Sequence, residues 1–193
     1  CASGSEANEG ALLLAALATG RQECVYLKDG LHGRTKWAMS VTGLDMWRTD
    51  PNPLLTAHAI PGPRHPESLP ALENLLRRGT IAALIAEPIQ GNGGIIVPPG
   101  DYWPQLRSLC SQYGTLLVAD EIQTAWNRTG KWFACDHWQV VPDIVTVAKD
   151  AGYLIGKTGV GRNVLTFMPP LVAQEKDLDS ITPALDQVFQ CLR

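Results

Sequence analysis

Apolar residues fall along this chain in two alternating kinds of block. Short unbroken runs read as buried strands, and longer stretches with helical spacing read as helices. Ser3 to Glu6 has the S-x-x-E pattern of a helix start, an Ala/Leu-rich stretch covers 11–18, and Gly20 stands where that helix would stop. Residues 24–27 (CVYL) read as a short strand. The stretch 43–66 is rich in Pro, Asp, Asn and Thr and reads as loop, with one short strand inside 54–60. The pattern then becomes regular: a helix over 69–78 stopped by Gly79, a buried strand over 81–86, and a Gly/Pro loop over 91–100. An amphipathic helix over 101–113 ends at Gly114, and a strand follows over 115–119. A looser segment carries Trp126, Trp132 and Trp138, before a third buried strand over 143–148.

Continuous apolar strands alternating with helices predict an α/β fold with a mostly parallel sheet and flanking helices. The character changes from Ala151 onward. The chain is glycine-rich to Gly161, strand-like over 164–168, and amphipathic over 175–192. We therefore divide it into a larger unit over 1–150 and a C-terminal fragment over 151–193.

The chain has 193 residues, 45% of them hydrophobic and 18% charged, with a formal net charge of -3. That balance offers no electrostatic footprint for nucleic acid or an anionic membrane, and neither is expected as a partner. The five cysteines are dispersed without a CxxC, and the four histidines form no HExxH. Reduced thiols and an intracellular location are expected, cytoplasmic ahead of mitochondrial, with no metal site. The chain does not begin with Met and reads as starting inside a longer protein.

Three of the buried strands run straight into an ionisable residue: IAALIA into Glu87, TLLVA into Asp120, and IVTVA into Lys149. Ligands of open α/β sheets bind beyond the carboxyl ends of the strands, so two carboxylates and an amine are expected at one edge. A desolvated lysine forms Schiff bases readily. A carboxylate beside a pyridine ring keeps the ring nitrogen protonated, and this pair is the usual protein contribution to pyridoxal phosphate chemistry. The Ser3-Gly4-Ser5 turn opening the first helix supplies a seat for the cofactor phosphate. Singly, each of these residues reads more readily as a solvated strand end or a plain helix cap; it is their occurrence together that points to a site.

The runs that hold these residues are SGSEANEGAL from Ser3, HGRT from His32, AEPIQGNGGIIVPPGDYW from Ala86, VADEIQTAWNRTGKWFA from Val118, HWQVVPDIVTVAK from His137 and GRNVLTFMPPLV from Gly161. Together they resemble the class III aminotransferases, over nearly the whole chain. The resemblance implies part of the large domain of the type I pyridoxal-phosphate fold, followed by a piece of the small domain. It implies pyridoxal 5'-phosphate as cofactor, an amino donor and an oxo-acid acceptor as small-molecule partners, and a homodimer where the family interface is kept. By the same resemblance, Gly4 and Ser5 bind the phosphate, Asp120 pairs with the pyridine nitrogen, and Gln123 hydrogen-bonds the ring hydroxyl. His32 lies beside the ring and Glu87 lies near the cofactor. Lys149 carries the Schiff base and shuttles the substrate proton as both base and acid.

The sequence departs from the family in three ways. Leu31 stands where the family has an aromatic ring that stacks on the cofactor. Asn92 and Thr166 stand where the ornithine branch has an acid and an arginine, which resembles the alanine–glyoxylate and phospho-lyase side instead. The chain also looks discontinuous near residue 150, where a long family segment is expected and absent. That segment includes a threonine that reaches the neighbouring subunit's phosphate. The join leaves Lys149 with two readings, since KDAGYLIGK also fits the start of the C-terminal match. We favour the Schiff-base reading because Lys149 ends a buried strand. Three functions compete: an aminotransferase or related phospho-lyase; an inactive fragment that binds pyridoxal phosphate weakly or joins a full-length subunit; and a plain α/β binding module.

Overall fold

The computed structural model describes residues 3–50 and 52–147, together with the backbone of 154–158 and 164–168. Five strands form one parallel sheet: β1 (Glu23–Leu27), β2 (Ala57–Ile60), β3 (Ile81–Ala86), β4 (Leu116–Asp120) and β5 (Ile144–Thr146). Their order across the sheet is β2-β1-β3-β4-β5. All five expected strands form, but β5 is shorter than the 143–148 run and is not the buried strand expected there: it lies at the sheet edge with Val145 36% exposed. The chain turns one way from β1 to β2 and the other way from β3 onward. The crevice at such a reversal is where open parallel sheets bind ligands.

Helix α1 (Gly4–Thr19) packs on one face of the sheet, while α3 (Ser68–Leu76) and α4 (Tyr102–Tyr113) pack together on the other. Strand alternation sorts the core between the two faces. Cys24, Tyr26, Ala83, Ile85 and Val118 meet Ala11, Leu12 and Ala15 of α1. Val25, Leu27, Leu84, Ala86, Leu117 and Ala119 meet Leu72, Leu76, Trp103, Leu106 and Cys110. All six residues of β3 are buried, as a strand covered on both faces requires. Gly20 and Gly114 end α1 and α4 in the left-handed region, at φ 67° and 62°, where a side chain would be strained.

Some elements differ from the expectation. A short helix α2 (Lys36–Ser40) follows the HGRT run, and Asp45–Trp47 and Ala134–Trp138 form 3-10 turns. All three are too short to carry helical periodicity. Asp120 is the last residue of β4 rather than the first beyond it. In the stretch read as glycine-rich, β6 (Leu154–Thr158) forms and pairs antiparallel with β7 (Val164–Met168), which is the strand-like run expected there. The division at 150 and 151 lies outside the described residues, as does the amphipathic stretch 175–192. Among the described residues no helix is long and apolar enough to cross a membrane.

Candidate functional site

The carboxyl ends of the strands and the start of α1 enclose one cleft. It is lined by Gly4, Ser5, Asn8, Leu31, His32, Gly33, Arg34, Glu87, Asp120, Ile122 and Gln123. Six sequence-derived candidates, Gly4, Ser5, His32, Glu87, Asp120 and Gln123, therefore converge although they lie far apart in the chain. The seventh, Lys149, lies outside the described residues, three positions past the end of β5.

Asp120 forms the floor. It is only 3% exposed, yet both of its carboxylate oxygens are hydrogen-bonded. Oδ2 accepts from Asn8 Nδ2 at 2.7 Å and from His32 Nδ1 at 2.7 Å, while Oδ1 accepts from the Ile122 backbone N–H at 3.1 Å. A buried carboxylate costs several kcal/mol unless such donors replace water. A carboxylate offers about four lone-pair sites, so three donors leave one for a ligand. Because the carboxylate only accepts, His32 Nδ1 is the protonated ring nitrogen toward it.

Asn8 ties the floor together. Its amide nitrogen donates to His32 O at 2.8 Å as well as to Asp120, and its Oδ1 accepts from Thr146 Oγ1 at 2.6 Å. The carboxylate partner fixes which end of the amide is nitrogen. His32 N–H donates to Thr42 Oγ1 at 3.1 Å, and that hydroxyl in turn caps the end of α2 on Ala38 O. The imidazole Nε2 is buried and has no hydrogen-bond partner among the described residues.

The start of α1 forms the rim. Ser3 Oγ caps the Glu6 N–H at 3.3 Å and Ser3 O accepts from Ala7, which satisfies the S-x-x-E expectation. The N–H groups of Gly4 and Ser5, in the first turn, precede every intrahelical acceptor, and the helix dipole makes this end attractive to an anion. Ser5 Oγ also accepts from the Arg34 N–H at 3.3 Å. Apolar side chains of Leu31 and Ile122 complete the lining.

Glu87 stands where β3 ends, 6% exposed. Oε1 accepts the Leu31 N–H at 2.8 Å and Oε2 accepts the Gly91 N–H at 2.9 Å. Burial pushes this carboxyl up to about 7; His32 pulls against that rise and the charge of Asp120 adds to it.

Sequence reasoning passed over Asn8 and Thr146. Asn8 sits on the same helical stripe as Ala11, Leu12 and Ala15, so an amide on an otherwise apolar face was the available signal. Thr146 is the last residue of β5, and its register partner in the sheet is Asp120. Glu121 was passed over too. It is wholly buried and accepts from Thr124 Oγ1, Ala134 N and Cys135 N at 2.7–2.9 Å, which ties the tryptophan-bearing segment to the end of β4.

Comparison with known proteins identifies the family and the fold. The profile of the aminotransferase class-III family matches residues 1–153. The chain belongs to that family. It is 40% identical over 168 residues to an acetylornithine aminotransferase of Bacillus subtilis, covering 83% of this chain and 43% of that protein. It is 38% identical over 189 residues to a leucine/methionine racemase of Thermococcus litoralis, covering 88% of this chain and 43% of that protein. An amine transaminase structure from an uncultivated Pseudomonas species superposes with TM-score 0.72 at 32% identity, over 94% of this chain and 44% of that one. A transaminase from the marine bacterium Virgibacillus gives TM-score 0.72 at 30% identity, over 86% of this chain and 39% of that one. The class-III chain thus spans less than half the length of these relatives.

Proposed function

We propose that this chain carries the cofactor site of a pyridoxal-5'-phosphate-dependent aminotransferase, which moves an amino group between an amino acid or amine and an oxo acid or aldehyde. The observation that carries the reading is the buried Asn8–His32–Asp120 constellation at the strand ends, beside the N-terminus of α1. The residues present suit the cofactor: a carboxylate with acceptor capacity left at the floor, free helix N–H groups at the rim, and apolar side chains between. The solved Pseudomonas relative is a pyridoxal-phosphate-bound form, which supports the same cofactor here.

When bound, the cofactor supplies an electron-withdrawing ring that stabilises the charge left on a substrate carbon after it loses a proton. Asp120 holds a negative charge toward the ring nitrogen, and Asn8 and His32 hold Asp120. Gly4 and Ser5 present N–H groups to the phosphate, and Gln123 presents its amide to the ring hydroxyl. Leu31 replaces aromatic stacking with apolar contact, at a cost of about 0.5–1.5 kcal/mol in affinity. Lys149 takes and returns the substrate proton, a role that rests on the family's VTVAK run. A homodimer and an intracellular location belong to the same proposal.

The competing reading is that the chain binds pyridoxal phosphate but turns over no substrate. Incubation with pyridoxal phosphate and L-alanine, followed by assay of the matching oxo acid, separates the two. Release of the oxo acid above the background of a Lys149→Ala chain supports transamination. Inverted alanine without oxo acid points to racemase chemistry instead, and no change in alanine beyond background leaves the non-catalytic reading.

A further inference from the structure

We propose that Glu87 is a positioning residue: one carboxylate holds the loops after β1 and β3 together and so sets where His32 and Gln123 stand toward the cleft. The inference rests on reading that cleft as the cofactor site. The two oxygens of Glu87 are used separately, Oε1 for the Leu31 N–H and Oε2 for the Gly91 N–H. Neither N–H has another acceptor among the described residues.

Each of these contacts leads on to a group at the site. Leu31 immediately precedes His32, whose Nδ1 meets Asp120 at 2.7 Å. Among the described residues the imidazole has no second anchor, because Nε2 lacks a partner there. Its position therefore depends on Asp120 and on a backbone held by Thr42, Asn8 and, one peptide away, Glu87. On the other side Gly91 lies so close to Gln123 that a Cβ there would overlap Gln123 Oε1. A shift at Gly91 is therefore felt by Gln123. A merely solvated strand-end charge would not be 6% exposed with both oxygens bound to backbone.

The test uses Glu87→Gln, which keeps the shape but turns one acceptor oxygen into an amide that cannot accept, and Glu87→Asp, which keeps the charge but shortens the reach. Two quantities are measured on the full chain: the His32 Nδ1–H proton resonance without cofactor, and the dissociation constant for pyridoxal phosphate. We expect the resonance to move or broaden in both variants. We also expect the constant to rise about tenfold for Glu87→Gln, the effect of one lost buried hydrogen bond. An unmoved resonance in both variants, even with lowered stability, overturns the proposal and leaves Glu87 a structural group. If Glu87→Gln does not fold, Glu87→Asp carries the same comparison. If the parent itself binds no pyridoxal phosphate, the proposed function fails, and the resonance alone still decides the role of Glu87.

Discussion

Replacing Asn8 by aspartate leaves the side-chain shape almost unchanged and inverts its hydrogen bonding. The Asn8 amide nitrogen donates to Asp120 Oδ2 at 2.7 Å and to His32 O at 2.8 Å. In Asn8→Asp an oxygen faces each of those acceptors. Two buried hydrogen bonds are lost, at about 1–3 kcal/mol each where an acceptor is left unpaired. Two carboxylates also come together; at about 4 Å between charges and an effective dielectric near 20, their repulsion is about 4 kcal/mol. The pair relieves this by sharing a proton, which raises its apparent pKa. We therefore expect Asn8→Asp to be less stable than the parent by about 6–10 kcal/mol while both carboxylates are ionised, and by less once the pair shares a proton. Much of that loss should return on acidification, because the folded state then binds a proton that the unfolded state has released. Asn8→Ala is the control: it loses the same donors without adding charge, so its deficit stays nearly constant with pH. Urea unfolding followed by tryptophan fluorescence reads both variants, with the fully buried Trp103 as reporter. Equal, pH-independent deficits in the two variants would refute the placement of Asn8 against Asp120.

Three further outcomes follow from the same geometry. Thr146→Val removes the hydroxyl that donates to Asn8 Oδ1 at 2.6 Å and should cost about 1–2 kcal/mol in urea unfolding, with weaker pyridoxal phosphate binding. Glu87 releases its proton near 4.5 when unfolded and near 7 when folded, so the folded state keeps a proton across that interval and stability falls as pH rises through it. At about 1.4 kcal/mol per unit the contribution is about 3 kcal/mol, full below the lower value and gone above the upper one. The stability difference between the parent and Glu87→Gln should shrink by about that amount, and a pH-independent difference would contradict it. Gly91→Ala should displace Gln123 and weaken pyridoxal phosphate binding while far-UV circular dichroism stays at the parent's, because the added Cβ overlaps Gln123 Oε1.

The sheet was legible because parallel strands covered on both faces announce themselves as unbroken apolar runs; IAALIA became β3 with every residue buried. The α1 start was legible from S-x-x-E, and Ser3 does cap Glu6. The short elements were not, since α2 and the two 3-10 turns are fixed by tertiary contacts such as Thr42 on His32 rather than by local periodicity. In the candidate site, charge at a strand end revealed Glu87 and Asp120. Asn8 and Thr146 escaped because neutral polar side chains carry no such signal, and their importance lies in partners 112 and 138 residues away. His32 was found through the HGRT run, but its bond to Asp120 depends on β1 and β4 both ending at the same edge of the sheet.

The most direct test of the account is the visible absorption spectrum of the chain after incubation with pyridoxal phosphate and desalting, recorded beside Lys149→Ala. The account predicts an absorbance that stays with the parent, is lost in Lys149→Ala, and shifts when an amino donor is added. No retained absorbance in the parent, or equal absorbance in both chains, would contradict it.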